Sequence, residues 1–293
     1  MIADSTKNSI ESYLREVHDR VVKITYHTDL QLGTFNRTCL IETSVGKYFL
    51  KHNQNAQYPA IFEKEAKGLK LLRATESIHV PEVIFYDQTS SEAFILLEYI
   101  DPSTETDEFW GNFGKALARL HQRSNDYFGL DYDNYIGPMQ QVNSPHESWT
   151  DFFVEERLER LVKMARDAKI MGKDIVSGFE NLYPQLTEFF PPEPPALLHG
   201  DLWDHNYIVT RDHQASLIDP AVYYGQREVD IAMTRLFDQF NERFYEAYNE
   251  EFPLEKNWKE RVDIYNLYPY LVQINLFGEE HIKPVKKILK RFS

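Results

Sequence analysis

The stretch from residue 199 to residue 220 constrains the fold of this chain more than any other part of its sequence. It begins with HGDLWDHN and ends with LIDP, so Asp201, Asn206 and Asp219 follow one another as a carboxylate, a carboxamide and a second carboxylate. A carboxylate within hydrogen-bond reach of a hydroxyl can accept its proton, and carboxylate and amide oxygens suit Mg²⁺. The spacing therefore predicts a general base at Asp201 and metal ligands at Asn206 and Asp219, as in phosphoryl-transfer enzymes.

A surface turn is the alternative explanation of this stretch, because Asp, Asn, Gly and His are all common in turns. The tripeptide HGD alone does not separate the two interpretations. The spaced Asn206 and the later Ile218-Asp219-Pro220 together favour the catalytic one. Apolar runs at 207–210 and 215–218 predict a hairpin that returns Asp219 to the side of Asn206.

The first fifty residues carry the pattern of a phosphate-binding hairpin. Three strand-like runs lie between residues 21 and 51, and the last of them ends at Lys51. This order is typical of the hairpin that covers the phosphates of a nucleotide in kinases, followed by the lysine that binds them. The first turn contains Gly33 and Asn36, which are interpreted as nucleotide-binding residues, and its single glycine is a weak signal on its own.

The segment after Lys51 supplies a partner for that lysine. An isolated lysine at a strand end would by default be a solvated charge. Pro59 can begin a helix, and apolar residues then recur at helical spacing through Leu72. Glu65 lies on this helix and is predicted to pair with Lys51, and Glu63 is the alternative partner.

Two further strands are predicted before the pattern of the sequence changes. They cover residues 80–86 and 93–100, and the second is almost entirely apolar, as expected of a buried strand. In a kinase a strand at this place lends backbone groups to the adenine edge. Residues around Glu98 and Ile100 are therefore predicted to bind the nucleotide.

A polar segment that contains a proline, residues 101–106, interrupts the strand pattern, and helical periodicity dominates after it. We therefore predict two domains. Residues 1–100 would form an N-terminal lobe that covers the nucleotide, and residues 101–293 a C-terminal lobe with the catalytic loop, the metal loop and the acceptor site.

Two polar residues of the C-terminal lobe are interpreted as structural. His121 is predicted to be packed or hydrogen-bonded rather than a metal ligand, since no second histidine follows at metal spacing. Residues 227–230 are predicted to begin a helix that continues through Phe240, and Asp230 lies near its N-terminus. It would either cap that helix or brace the catalytic loop.

Charge and cysteine content exclude several classes of function. The formal net charge of −14 argues against a nucleic-acid partner, because phosphate backbones are bound by an excess of Lys and Arg. No apolar run approaches the roughly 18 residues of a membrane-spanning helix, and the polar first residues do not resemble a signal peptide. Cys39 is the only cysteine, so an internal disulfide is impossible and a cytoplasmic location is expected.

Four stretches of the sequence together carry a resemblance to a known family. They are IFEKEAKGLKLLR, YIGPMQQVNSPHESWTDFFVEERL, LLHGDLWDHN and IDPAVYYGQREVDIAM. The chain resembles the fructosamine kinase, or ketosamine kinase, family, whose relatives are the aminoglycoside and choline kinases, and the resemblance runs from about residue 20 to residue 245. It implies an α+β, two-lobed, protein-kinase-like fold, with an antiparallel sheet and a helix in the small lobe and a mainly helical large lobe. It also implies ATP-dependent phosphorylation of the sugar 3-hydroxyl of ketosamines, with ATP and Mg²⁺ as cofactors and small or protein-bound sugar-amine adducts as partners.

The resemblance also implies roles by position. Lys51 would hold the α and β phosphates and Glu65 would orient it, while Asp201 would be the base and Asn206 and Asp219 the Mg²⁺ ligands. Trp203 would stack on the sugar adduct, and packing of the loop is its alternative role.

The sequence departs from the family pattern in two places. The phosphate-covering loop lacks the cysteine and the additional glycines of many members, and Cys39 lies beyond it, so redox control through that loop is not expected. Asp204 and His205 stand where small residues are common. Asp204 would add a negative charge near the acceptor and favour a cationic amine substrate.

Two other functions stay open at this point. One is a kinase for another small hydroxylated amine such as an aminoglycoside, which the HGDLW and YYG segments disfavour. The other is a non-catalytic nucleotide-binding regulator. The presence of Lys51, Asp201, Asn206 and Asp219 argues against the regulator.

Overall fold

The computed structural model describes residues 2–30, 35–54, 58, 60–237 and 239–292. The predicted nucleotide-binding Gly33 and the predicted helix start at Pro59 lie outside these residues.

Contacts along the chain divide it into two units. The first comprises Met1–Glu105 and Ile208–Asp219, and the second comprises Thr106–Tyr207 and Pro220–Ser293. The lobe boundary at residue 100 stays a prediction. The sequence contains no signal that separates residues 208–219 from the helical part of the chain around them.

A five-stranded antiparallel sheet forms the centre of the first unit. Its strands are β1 (Ile24–Asp29), β2 (Arg37–Thr43), β3 (Gly46–Asn53), β4 (Val83–Gln88) and β5 (Ala93–Glu98). They lie side by side in the order β1-β2-β3-β5-β4. All five predicted strands are therefore present, with bounds that differ from the prediction by a few residues.

The two faces of this sheet lie against different helices. Side chains alternate along a strand, so neighbouring residues of β3 point to opposite faces. Leu50 packs in a core with Ile10 and Leu14 of helix α1 (Asp4–His18). Lys51 points to the other face, toward helix α2 (Ile61–Arg73).

A hairpin from the distant part of the chain belongs to the same unit. Its strands, Tyr207–Val209 and Ala215–Leu217, were predicted from the sequence and are confirmed. The backbone N–H of Leu217 donates to the carbonyl of His79 at 3.0 Å, and that of Ser103 donates to the carbonyl of Val209 at 2.8 Å. These bonds attach the hairpin, and Asp219 at its end, to the unit that contains Lys51.

The second unit is mainly helical. In chain order its elements are α3 (Asp107–His121), β6 (Asn134–Ile136), β7 (Met139–Gln141), α4 (Trp149–Phe152), a π-helical turn (Phe153–Glu159), α5 (Arg160–Asp167), α6 (Lys173–Leu182), α7 (Leu186–Phe189), β8 (Ala196–Leu198), the hairpin strands β9 and β10 just described, β11 (Tyr223–Gly225), α8 (Glu228–Thr234), α9 (Glu242–Glu251), α10 (Trp258–Tyr265), α11 (Leu267–Phe277) and α12 (Ile282–Leu289). The α+β fold class, with an antiparallel sheet and helices in the first unit and mostly helices in the second, is confirmed.

Helices α3 and α9 approach each other closely at Gly114. A Cβ atom at this position would lie 2.2 Å from the carbonyl oxygen of Phe244. Only glycine permits this approach, which brings the α3 histidine, His121, against the hydroxyl of Tyr248 on α9.

Helix α8 is shorter than predicted. It ends at Thr234, whereas the sequence predicted a helix through Phe240. The backbone N–H groups of Arg235 and Leu236 bond to carbonyls only three residues earlier, at 3.1 and 3.0 Å, so the last turn tightens and the helix stops. Within the described residues no helix is both long and apolar enough to cross a membrane.

Candidate active site

Lys51 lies between two carboxylates in the first unit. Its side chain is 5% exposed, its Nζ atom is 2.8 Å from Oε1 of Glu65, and it also contacts Oδ1 of Asp219. The predicted pairing with Glu65 is confirmed. Glu63, the alternative, pairs instead with Lys67 on the outer face of α2, at 2.8 Å.

The two carboxylates fix the charge of this lysine. Burial lowers the pKa of the Lys51 ammonium, but Asp219 and Glu65 outweigh burial and raise that pKa above its usual range. The ammonium is therefore charged at neutral pH. A buried cation with a fixed position is suited to hold phosphate oxygens.

Asp219 has an unusual backbone conformation at the end of β10. Its φ angle is +55°, in the left-handed region that few residues other than glycine adopt. Such conformations occur at functional sites, where the surrounding structure holds them. The Asp219 side chain is 41% exposed, so it contacts Lys51 and also reaches solvent.

The loop that carries the predicted base, in the second unit, is fixed by Asp230 of helix α8. The fully buried Asp230 carboxylate accepts the backbone N–H groups of His199 at 2.7 Å and of Gly200 at 2.9 Å. Nε2 of His121 donates to the same carboxylate at 3.2 Å. Of the two roles that the sequence left open for Asp230, these contacts support the brace. His121 is a buried, hydrogen-bonded residue, as predicted.

The environment of Asp230 favours its ionised form. Burial alone would raise the pKa of its carboxyl, but the hydrogen bond from His121, the charges of His121 and His199 and the N–H of Gly200 together lower that pKa. The carboxylate thus stays charged and keeps two backbone donors of the loop satisfied.

Gly200 makes the sharp turn before the base possible. Its φ angle is +82°, and a Cβ atom there would lie 2.1 Å from the carbonyl oxygen of Ala221. The turn is closed by a bond from the N–H of Ala221 to the carbonyl of His199, at 2.9 Å. No other residue type fits this position without moving the loop.

Asn206 holds the predicted base. Its Nδ2 atom donates to the backbone carbonyl of Asp201 at 2.7 Å and to Oδ2 of the same residue at 2.9 Å. With the amide nitrogen turned toward Asp201, the amide oxygen of Asn206 faces the opposite way. That oxygen is the atom that a magnesium ion would require.

The two predicted acceptor residues follow the base in the same loop. The ring of Trp203 lies edge-on to that of His205, with centroids 4.5 Å apart, and 5.5 Å from the ring of Phe237. The side chain of Asp204 is 15% exposed, and its Oδ2 atom is 3.9 Å from Nε2 of His205. Trp203 and Asp204 therefore belong to one small cluster beside Asp201 in the sequence.

The remaining predicted nucleotide-binding residues have structural contacts. Oδ1 of Asn36 accepts from Nδ2 of Asn53 at 2.8 Å, which ties the start of β2 to the end of β3. The N–H of Glu98 donates to the carbonyl of Glu82 at 2.9 Å. The nucleotide roles of Asn36, of the segment around Glu98 and Ile100, and of Gly33 outside the described residues stay predictions.

Cys39 lies in the sheet rather than in the loop before it. Its Sγ atom is 3.1 Å from Oδ1 of Asp29 and 3.7 Å from Nε2 of His52. Burial and the Asp29 carboxylate raise the pKa of the thiol to about 12. A thiol that stays protonated is a poor nucleophile.

Sequence reasoning missed Arg157, a fully buried cation of the second unit. Its guanidinium lies 4.0 Å from the ring centre of Tyr223 and 4.5 Å from that of Phe152. It donates to the carbonyl of Val142 and to Oδ1 of Asn143, both at 2.6 Å. The residue lies in the π-helical turn, and the local sequence carries no signal that an arginine there is buried.

Comparison with known proteins identifies the class of this chain and then its family. The structure of the aminoglycoside phosphotransferase APH(4)-Ia superimposes with a TM-score of 0.65 at 15% identity, over 98% of this chain and 99% of that one. This likeness shows a protein-kinase-like fold. The family model for fructosamine kinase matches residues 6–293, and the chain belongs to that family. It is accordingly a phosphotransferase.

Individual relatives agree with this membership. A probable ketoamine kinase from Vibrio parahaemolyticus is 38% identical over 271 residues, 92% of this chain and 93% of the relative. Another from Enterococcus faecium is 37% identical over 262 residues, 89% of this chain and 92% of the relative. The solved structure of a candidate fructosamine-3-kinase from Haemophilus somnus has a TM-score of 0.86 at 31% identity, covering 97% of this chain and 96% of that one.

Proposed function

We propose that this protein transfers the γ-phosphoryl group of ATP to the 3-hydroxyl of the sugar in ketosamines. The observation that carries the proposal is the catalytic loop, in which Asn206 donates to the carboxylate of Asp201 at 2.9 Å. The family membership of the chain supports the choice of sugar-amine adducts over other hydroxylated amines.

Asp201 is the base in this proposal. Its carboxylate accepts a hydrogen bond from the sugar hydroxyl and takes the proton as the oxygen attacks the γ-phosphorus and the bond to the leaving ADP oxygen breaks. Asn206 keeps the carboxylate in one orientation, and Asp230 keeps the loop in place. Most of the rate enhancement then comes from positioning and from charge stabilisation.

Lys51 holds the phosphates of the nucleotide, and Glu65 keeps the lysine in position. Asn206 and Asp219 would supply oxygen ligands for Mg²⁺, which prefers hard oxygen donors. When bound, the ion neutralises charge on the phosphates. Trp203 provides an aromatic surface for the sugar adduct.

Turnover of a panel of acceptors tests the proposal. We expect phosphorylation of fructosamines or ribulosamines of lysine, small amines or protein, with the phosphate on the 3-position by NMR. Turnover of aminoglycosides or choline alone would assign the chain to a different kinase activity. ATP binding without turnover of any acceptor would indicate a regulator.

The Asp201→Asn variant tests the role of the base. We expect turnover to fall by about 10²- to 10⁴-fold, the usual contribution of a general base, while ATP binding is retained. Asp126→Asn is the matched control, because Asp126 is an exposed aspartate of the same unit. Unchanged turnover in Asp201→Asn would contradict the assignment.

A further inference from the structure

An aromatic cluster of the second unit includes Phe237, to which neither the sequence motifs nor the family resemblance assigns a role. It consists of Trp203, His205 and Phe237, and we refer to it as the aromatic platform. The Trp203 and Phe237 rings are 5.5 Å apart, and Phe237 is 44% exposed. Large apolar side chains with this exposure are few among the described residues, and this one lies against the loop that carries Asp201.

A carboxylate with an unsatisfied oxygen lies in the same loop. Oδ1 of Asp204 is buried and has no hydrogen-bond partner among the residues that the structure describes. Its other oxygen is 3.9 Å from Nε2 of His205, beyond hydrogen-bond distance. The backbone N–H of Asn206, in the same loop, donates to the carbonyl of Trp203 at 3.0 Å rather than to Asp204.

A buried carboxylate oxygen without a donor is unfavourable, because burial removes the water that would solvate it. A ligand that brings a charged N–H donor would remove this cost. The overall net charge of −14 also favours a cationic ligand over an anionic one. The aromatic platform beside Asp204 suits the carbon chain or ring next to such a nitrogen.

We propose that Asp204 and the aromatic platform form the subsite for the amine part of the acceptor. The Asp204 carboxylate accepts a hydrogen bond from a cationic nitrogen, and the carbon atoms next to that nitrogen pack on Phe237 and Trp203. This inference rests on the proposed function and names the substrate class within it, namely sugar adducts whose amine part carries a positive charge.

The cationic nitrogen has two possible sources. One is the linkage nitrogen itself, which is protonated in adducts of alkyl amines. The other is a second, distal cation of the amine. Four fructose adducts separate these two sources. The butylamine adduct has only the linkage cation, and the aniline adduct has no cation. The lysine adduct has both cations, and the adduct of 4-(aminomethyl)aniline, joined through its aryl nitrogen, has only the distal one.

The experiment measures kcat/KM and calorimetric affinity for the four adducts with the wild-type protein and with Asp204→Asn. We expect kcat/KM to fall about 10- to 100-fold, as for loss of a hydrogen bond to a charged group, for the two adducts that carry the cation bound by Asp204. The aniline adduct should change by about twofold or less, and KM for ATP should stay the same. The pair of adducts that loses affinity identifies the source of the cation.

Two further variants complete the test. Phe237→Leu should lower kcat/KM by about threefold for all adducts, since it removes the ring but keeps an apolar side chain. Asp126→Asn, which removes one exposed charge of the same unit, should leave all values unchanged.

The outcomes separate the subsite from the proposed function. An equal loss for all four adducts in Asp204→Asn, or a raised KM for ATP, would overturn the subsite. Equal wild-type affinity for charged and neutral adducts would overturn it as well. If the wild-type protein binds the adducts but phosphorylates none of them, the proposed function is refuted. The calorimetric affinities of wild type and Asp204→Asn would still test the subsite.

Discussion

Replacing Asp230 by asparagine tests whether a buried carboxylate positions the catalytic loop. Asparagine has nearly the same size, but only one of its two side-chain atoms accepts a hydrogen bond. The N–H groups of His199 and Gly200, now 2.7 and 2.9 Å from the carboxylate, would compete for that single oxygen. One buried donor would lose its acceptor, and the bond from His121 would lose its charge.

The magnitude follows from these contacts. An unsatisfied buried donor costs about 1–3 kcal/mol, and the weakened charged bond adds about 1 kcal/mol. We expect the free energy of unfolding to fall by about 3 kcal/mol in urea titrations followed by circular dichroism. A shift of the loop by a fraction of an ångström would also lower kcat, by up to about 100-fold in single-turnover assays of folded protein.

Glu228→Gln is the matched control on the same helix. Glu228 is buried, and its carboxylate accepts two hydrogen bonds from Arg261 at 2.6 and 2.7 Å. This variant should lose stability to a similar extent and keep its kcat. If Asp230→Asn lowers kcat no more than Glu228→Gln does, the carboxylate stabilises the fold without positioning the base.

Three further predictions concern stability. Lys51→Met leaves two carboxylates without their cation, so we expect the free energy of unfolding in urea titrations to fall by about 3 kcal/mol and turnover to be lost. An unchanged urea midpoint would contradict the ion-pair interpretation. Gly114→Ala places a methyl group 2.2 Å from the carbonyl oxygen of Phe244, so α3 and α9 must separate. We expect thermal unfolding to show a loss of stability of about 3 kcal/mol. A loss below about 1 kcal/mol would show that the helices adapt to the methyl group. The pKa of Asp230 is lower in the folded protein than in the unfolded chain, so its contribution to stability is present above about pH 4 and is lost as the pH falls through the folded-state pKa. The stability difference between wild type and Asp230→Asn should therefore shrink below about pH 4, and a difference that stays constant down to pH 2 would contradict this assignment.

The sequence predicted those parts of the site that depend on local spacing. The pairing of Lys51 with Glu65 was predictable because one lies at a strand end and the other on the next helix, so two regular elements fix their positions. A short loop likewise brings Asp201 and Asn206 together, five positions apart, although the sequence predicted a base and a metal ligand there rather than this hydrogen bond.

Contacts between distant segments were not predictable in the same way. His121 and Asp230 are 109 positions apart, and only the packing of helices brings them within hydrogen-bond distance. The end of α8 at Thr234 depends on a change in backbone hydrogen bonding that the apolar pattern does not reveal. Arg157 is buried among aromatic rings, a place where propensity alone would not put an arginine.

The hairpin at Ile208–Asp219 has a consequence for the synthesis of the protein. This segment belongs to the first unit, yet about one hundred residues of the second unit separate it from Glu105 in the chain. During translation, Met1–Glu105 emerges from the ribosome long before the strands that bond to His79 and Ser103. The nascent first unit therefore stays incomplete until Asp219 has been synthesised. Only then can Lys51 pair with Asp219, its second carboxylate.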